Sequence, residues 1–345
     1  MFFFEEPIFG EGPARLATTV HGYIHVVVPH LPRDASTERA TEMQRELVGQ
    51  MLQRHAIHNY ILWYYTPMAL PFTRHLTPAA VLYDCMDELS AFKDAPRELR
   101  EREAELLRRA DLVVTGGQSL YEAKRGRHPN IHPLPSSVDV DHFAKARASV
   151  VDPEDQASIP RPRLGFFGVI DERMDIDLVR AVAAARPAWQ IVLLGPVVKI
   201  DPDSLPRLPN IHYLGGKAYA DLPAYIAGWD VALLPFARND STRFISPTKT
   251  PEYLAAGKPV VSTSIRDVIR PYGDLGHVRI ADTPASFIAE VERCLAEEPR
   301  ERLQRVDPFL AQMSWEHTWA RLEGLINTAL TARQKARQGD QCSTI

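Results

Sequence analysis

The sequence predicts an α/β protein of two Rossmann-like domains whose parallel sheets face each other across a cleft. Three observations carry this. Apolar β-type runs alternate with helical stretches along nearly the whole chain, as βαβ units require. The alternation lapses at "AKARASVVDPEDQASIPRPR" (144–163), where prolines and charges replace large apolar residues, the composition of a linker. The 345 residues also exceed one typical domain and are enough to bury two cores.

In chain order, "IHVVVP" (24–29), "YILWYY" (60–65), "AVLYD" (80–84) and "DLVVT" (111–115) read as strands of a first domain, 1–150. Helical spacing marks 36–55 and 97–109. The second of these mixes acid and base evenly, as a solvated face does. A second domain, 151–313, holds "RLGFFGV" (163–169), "QIVLLG" (190–195), "IHYLG" (211–215), "DVALLPF" (230–236), "PVVST" (259–263) and "HVRIA" (277–281). At "DTPASF", Asp282 or Thr283 can cap a helix and Pro284 suits its first position. A closing helix over 314–331 and a polar, frayed tail over 332–345 complete the chain.

Composition excludes several classes. With 45% hydrophobic residues, 24% charged residues and a net charge of −4, the chain reads as an ordinary globular protein without the basic face of a nucleic-acid binder. Cys85, Cys294 and Cys342 are far apart and form no C-x-x-C pair. This speaks against a disulfide framework or thiolate zinc site and fits a reducing cytosol. No apolar run approaches the ~20 residues of a membrane helix, and "MFFFEEPIFG" lacks the marks of a signal peptide. The D-x-D at Asp139 and Asp141 reads as a turn and not a metal site.

The chemistry concentrates in "SPTKTPEYLAAGKPVVST" (246–263). Thr250 suits an N-cap, Pro251 the first helical position and Gly257 the C-terminal cap, so the helix is about two turns long and needs tertiary packing to form. Its free N–H groups and dipole make an anion site to which Lys249 adds a full charge. Glu252 offers two acceptor oxygens for a vicinal diol such as a ribose. A phosphate beside a ribose means a nucleotide. A first-turn glutamate is also favourable by ~0.3–1 kcal/mol with no ligand at all. The site reading therefore rests on the agreement of all these residues.

This segment resembles the nucleotide-binding segment of GT-B glycosyltransferases, particularly the large retaining family four, and within it bacterial polysaccharide and teichuronic-acid type transferases. "LGFFGVIDERMDIDLV", "IHYLGGKAYADLPAYIAGWDVALLPF", "ADLVVTGGQSLYEAK", "LPSSVDVDHF" and "SWEHTWARLEGLI" resemble further family segments in the same order, over about residues 80–330. The resemblance implies transfer of a sugar from a UDP- or GDP-sugar to an acceptor hydroxyl in cell-surface polysaccharide or glycolipid synthesis. It further implies retention of configuration, no catalytic metal and no cofactor. The expected nucleotide-binding residues are Glu252, Lys249, Thr248, Thr250, Arg173, Gly168, Gly215 and Lys217. Asn239, Asp240 and Ser246 are the candidates for the donor sugar, and Asp87, Lys249 and Arg173 for catalysis.

The departures are specific. Family-four enzymes often carry E-x7-E, but Phe244 stands eight positions before Glu252. Val169 and Met174 occupy the usual arginine and lysine positions, which leaves Arg173 to meet phosphate. "MFFFEEP" resembles the second strand of such a domain, so the first βα unit is expected to be missing. The alternatives are a GT-B sugar-nucleotide epimerase, for which the sequence offers no paired carboxylates with a histidine, and a noncatalytic nucleotide-sugar-binding protein. A lipid-linked acceptor would bring a cytoplasmic chain to the inner membrane face.

Overall fold

The computed structural model describes residues 1–148 and 151–342, with side chains to residue 338. The strands are β1 (Phe2–Phe4), β2 (Ile8–Gly10), β3 (Arg15–His21), β4 (Ile24–Pro32), β5 (Ile61–Tyr64), β6 (Ala80–Cys85), β7 (Leu112–Thr115), β8 (Ile131–Pro133), β9 (Arg163–Phe167), β10 (Gln190–Leu194), β11 (Ile211–Gly215), β12 (Val231–Leu234), β13 (Val260–Ser262) and β14 (Arg279–Ile280). The helices that matter here are α1 (Thr37–Arg54), α2 (Leu99–Arg109), α3 (Gln118–Lys124), α4 (Ile176–Ala185), α5 (Leu222–Ala227), α6 (Lys249–Ala255), α7 (Arg266–Val268), α8 (Pro284–Leu295), α9 (Pro299–Leu310) and α10 (Trp315–Cys342). The chain divides into two compact units. One comprises Met1–Asp84, Glu98–Val113 and Thr328–Ile345; the other comprises Cys85–Arg97 and Val114–Asn327. The boundary expected at residue 150 falls inside the second unit.

The second unit is built on a six-stranded sheet ordered β11-β10-β9-β12-β13-β14, parallel at every registered pair. Because both faces are covered, its strands are continuous apolar runs whose side chains alternate between two cores. Ile191, Leu193, Val231 and Leu233 join α4 and α8 on one face. Val192, Leu194, Ala232 and Leu234 join α5, α6 and α9 on the other. The order reverses direction beside β9, and in such sheets the carboxyl ends of the strands at that point form the binding crevice. Thr283 caps α8 through a reciprocal pair with Ser286, with Pro284 at the first position.

In the first unit β4 is central. It pairs in parallel with β1 and β2 on one side and antiparallel with β3 on the other, where His21 lies opposite Ile24 across a tight turn at Gly22. This hairpin departs from the all-parallel expectation. Most of β3 is exposed, so it lacks the apolar run that marks a buried strand. Leu31 packs with Ala40 and Leu47 of α1, whose first turn is capped by Ser36. A further sheet is ordered β5-β6-β7-β8.

Two expectations are corrected. The stretch read as a linker is built into the second unit. Fully buried Gln156 donates to the Tyr225 carbonyl at 3.0 Å and accepts from the Trp229 indole at 2.9 Å, while Arg163 pairs with Asp152 at 2.7 Å. Its polar residues are structural fasteners, which composition alone cannot distinguish from solvated ones. The region read as a frayed tail continues α10 to Cys342, with Arg333 paired to Asp111 and Arg337 donating to the Pro78 carbonyl at 3.0 Å.

Trp229 packs edge-on to Tyr253 of α6 at 6.0 Å and covers Gly165 of β9 so closely that a Cβ there would lie 1.9 Å from the indole. Gly165→Ala is expected to lower the unfolding free energy by about 1–3 kcal/mol or more through overpacking. Urea unfolding checks this, and an unchanged midpoint would show that the indole gives way.

Candidate active site

Helix α6 has seven residues, too short to persist on propensity, and it is fastened at both ends. At its carboxyl end the Lys258 N–H donates to the Tyr253 carbonyl and the Gly257 N–H to that of Leu254, a Schellman closure with Gly257 at φ +76°. Arg147 Nε donates to the Ala255 carbonyl at 2.7 Å and Arg302 Nη2 to that of Gly257 at 2.8 Å. Lys258 Nζ reaches the carbonyls of Ala227 and Trp229, so the lysine of "AAGKP" closes the end of α5 and does not serve a ligand.

The helix starts earlier than its capping residues suggest. Thr248, not Thr250, is the N-cap, and it makes no side-chain capping bond. The Thr250 N–H donates to the Pro247 carbonyl, so the chain is already turning before the expected cap. Thr250 is consequently fully buried, with Oγ1 unpartnered.

Just past the first turn, Tyr253 Oη accepts from the Phe167 N–H at 2.9 Å and pins α6 to the carboxyl end of β9. Lys249 then extends across that strand end, its ammonium 5.9 and 5.8 Å from the ring centres of Phe166 and Phe167. Gly168, at φ +136°, makes room for it: a Cβ there would lie 2.3 Å from Lys249 Cε. Among the described residues Lys249 Nζ has no hydrogen-bond or ion-pair partner. Burial lowers its pKa, and Arg173 lowers it further against the opposing charges of Glu252 and Asp171. Glu252 carries the mirror image of this strain. Burial lifts its carboxyl to about 7 despite Lys249, and Oε2 is buried with no donor.

Arg173 lies in the loop after β9. Its guanidinium is held by Asp171, with Nε 3.0 Å from both carboxylate oxygens and Nη2 2.6 Å from Oδ2, and it lies over the Phe92 ring at 5.6 Å. Asp171 is buried and raises the Arg173 pKa, with a smaller contribution from Asp87. Asp87 is itself raised by burial and lowered by Arg173. The structure thus brings together Asp87, Arg173, Gly168, Lys249 and Glu252 within one unit. Asp171 and Phe92 were not singled out from the sequence. An acid two positions before Arg173 was a usable signal for Asp171, whereas Phe92 carries none.

The other candidates separate from this group or take structural parts. Lys217 is paired with Asp155 at 2.6 Å over the Tyr225 ring, and Gly215, exposed at φ +70°, accepts from the Gly195 N–H. Asn239 holds the Arg173 loop, donating to the Glu172 carbonyl at 2.9 Å while its own carbonyl accepts from Ser241 and Thr242. Asp240 is exposed, and Phe244 lies under Arg243. Ser246 packs against Gly117, where a Cβ would lie 2.7 Å from its own. Asp267 closes the same contact: Oδ1 accepts from the Ser119 N–H at 2.9 Å and Oδ2 is buried without a donor. Near Glu252, whose charge acts on it, half-exposed Tyr219 stacks flat on His142 at 4.4 Å. Asp139 caps the turn before His142, as its turn reading requires. No group of three or more potential metal ligands occurs among the described residues.

Residues 161–297 match the family described as "Glycosyl transferases group 1". Over 258 positions the chain is 25% identical to the "Putative teichuronic acid biosynthesis glycosyltransferase TuaH" of Bacillus subtilis (strain 168); the match covers 68% of this chain and 64% of that protein, less than two thirds of its length. Sucrose-phosphate synthase from Thermosynechococcus elongatus is similar in structure, with TM-score 0.68, 16% identity and coverage of 96% of this chain and 89% of that one. Anabaena Alr3699/HepE, solved with UDP and glucose, has TM-score 0.66, 16% identity and coverage of 88% and 86%. The chain has the GT-B fold, and its residues 161–297 are similar to the group 1 glycosyl transferases.

Proposed function

We propose that the protein moves a sugar from a UDP- or GDP-sugar to an acceptor hydroxyl in the synthesis of a cell-surface polysaccharide or glycolipid. The observation that carries this is the mouth of α6, where among the described residues the Lys249 ammonium has no hydrogen-bond or ion-pair partner, and Glu252 Oε2, which feels its charge, is buried without a donor. Buried polar atoms in folded proteins have partners, and a ligand supplies those missing here. A ribose diol donates to Glu252, and a diphosphate accepts from the Lys249 ammonium.

In the reaction, the bond from C1 to the diphosphate breaks, the acceptor oxygen bonds to C1 and its proton leaves. Negative charge grows on the departing phosphate, and Lys249 and Arg173 stabilise it from fixed positions. Asp171 holds Arg173 by Nε and Nη2, which leaves Nη1 for the phosphate. Asp87, lifted by burial, is the group we assign to the acceptor proton. With two cations in place the reading needs no metal, and we propose retention of configuration. No helix among the described residues is long and apolar enough to cross a membrane. A lipid-linked acceptor would be met at the membrane's inner face.

Calorimetry tests the donor site. Glu252→Ala is expected to weaken UDP and uridine alike, by about 10- to 100-fold for a charge-assisted hydrogen bond, while Lys249→Ala weakens UDP and leaves uridine nearly unchanged. Parent-like affinities in both variants would discard the assignment. With radiolabelled donor, transfer or donor hydrolysis that survives EDTA supports a metal-free transferase; epimer formation, or binding without turnover, would replace it.

The Glu252 carboxyl also sets a pH dependence. Because its folded pKa of about 7 lies above the ordinary 4.5, the folded state keeps a proton that the unfolded chain has released. Its contribution to stability therefore falls as pH rises from 4.5 to 7, up to a ceiling of about 3 kcal/mol. Glu252→Gln is expected to raise the Tm of the ligand-free protein at pH 8 and to leave it unchanged at pH 5. A gain of equal size at both pH values would refute the burial account.

A further inference from the structure

The first unit holds a cluster that the donor chemistry does not use. Strands β5 and β6 run parallel with Trp63 opposite Leu82 and Tyr64 opposite Tyr83, so Trp63, Tyr65 and Asp84 gather at their carboxyl ends. The rings of Trp63 and Tyr65 stack at 6.0 Å and 22°, and Phe3 meets Tyr65 edge-on at 6.0 Å. Tyr65 is 43% exposed, so the platform reaches solvent. Beside it, the Trp63 indole donates to Asp84 Oδ2 at 3.3 Å, which fixes the carboxylate against the edge of the platform.

From this geometry we infer that Tyr65, Trp63 and Asp84 form a saccharide subsite that takes a neutral pyranose ring. The inference deepens the transferase reading and rests on it for the ring's role as acceptor. A pyranose has an apolar face of C–H groups and a rim of hydroxyls. The stacked rings offer flat, rigid apolar area, and the carboxylate offers an acceptor at its margin. The carboxyl ends of parallel strands are where such sheets bind ligands. Charge selects the class of sugar. Asp84 is lifted to about 6 by burial, opposed only by the Trp63 hydrogen bond, and Tyr65 is raised by burial and by Asp84. Among the described residues no cationic side chain acts on either group, so a uronate would bring a second negative charge with nothing among them to balance it.

Saturation-transfer NMR on the full chain at pH 7.5 tests this, with methyl α-D-glucopyranoside, methyl β-D-galactopyranoside, methyl β-D-glucuronide and tetramethylammonium as probes. At least one neutral glycoside is expected to receive saturation on its ring protons, with the glucuronide receiving at least fivefold less. Tyr65→Ala removes the effect, Tyr65→Phe retains it, and Asp84→Asn weakens it severalfold. UDP calorimetry on the same samples reports the second unit separately. Failure of the parent to bind UDP would sink the donor reading and leave the subsite standing. The subsite is overturned if neither neutral glycoside is saturated, if Tyr65→Ala matches the parent, or if the glucuronide or tetramethylammonium is preferred.

Discussion

Everything in the second unit that bears on chemistry depends on the 2.9 Å hydrogen bond from the Phe167 N–H to Tyr253 Oη. It ties the middle of a seven-residue helix to the end of β9, where the sheet order reverses. Without it, Lys249 and Glu252 would project from a segment too short to hold a direction. With it, the fully buried Tyr253 ring passes the position of Trp229 and β9 to the mouth of the helix. The carboxyl end is fixed independently by Arg147, Arg302 and Lys258, all donating to backbone carbonyls. A helix clamped at both ends can present charged groups without the entropy loss that flexible side chains would suffer on binding a ligand.

The second constraint is charge balance. Lys249 and Arg173 face Glu252, Asp171 and Asp87, so three carboxyl groups balance two cations before any ligand arrives. Arg173 is the better neutralised of the two, through a multiply bonded Asp171 and the Phe92 face. Lys249 has aromatic faces for company and, among the described residues, no hydrogen-bond acceptor. Under the proposed function, an arriving diphosphate would find one cation already oriented and one unsatisfied. This divides positioning from attraction between two residues, and the planar fork of arginine and the compact charge of lysine suit those parts in that order.

How much of this was legible in the sequence follows from what each feature leaves in one dimension. The six strands of the second sheet were visible because burial on both faces makes them apolar runs, and Ile191 through Leu194 alternate cores without a break. Lys249 and Glu252 were visible because capping and dipole chemistry act within a few residues. Thr250 was misread as the cap because the Pro247 carbonyl had already taken its N–H, a bond that depends on the path of the preceding loop. The fasteners were invisible for another reason. Arg147 lies about a hundred residues from the carbonyls it serves, in a stretch whose composition resembles a linker. Gln156 is polar yet fully buried for the same kind of long-range reason. Asn239 looked like a sugar contact because it is polar and precedes the site. The structure uses it to hold the loop that carries Arg173.

The buried atoms without a partner in the second unit fall on both site and framework. Glu252 Oε2, Thr250 Oγ1 and Asp267 Oδ2 are buried without a donor, each at a cost of about 1–3 kcal/mol. These three lie on α6 and α7, whereas His277 Nδ1 and Arg302 Nε are unpartnered in the surrounding framework. Gln156, Asn210 and Arg163 are as deeply buried, yet each makes several hydrogen bonds away from the site. Glu252 therefore stands out less by its missing donor than by facing the charge of Lys249. Under the proposed function, a diol-bearing ligand would supply the donor that Oε2 lacks.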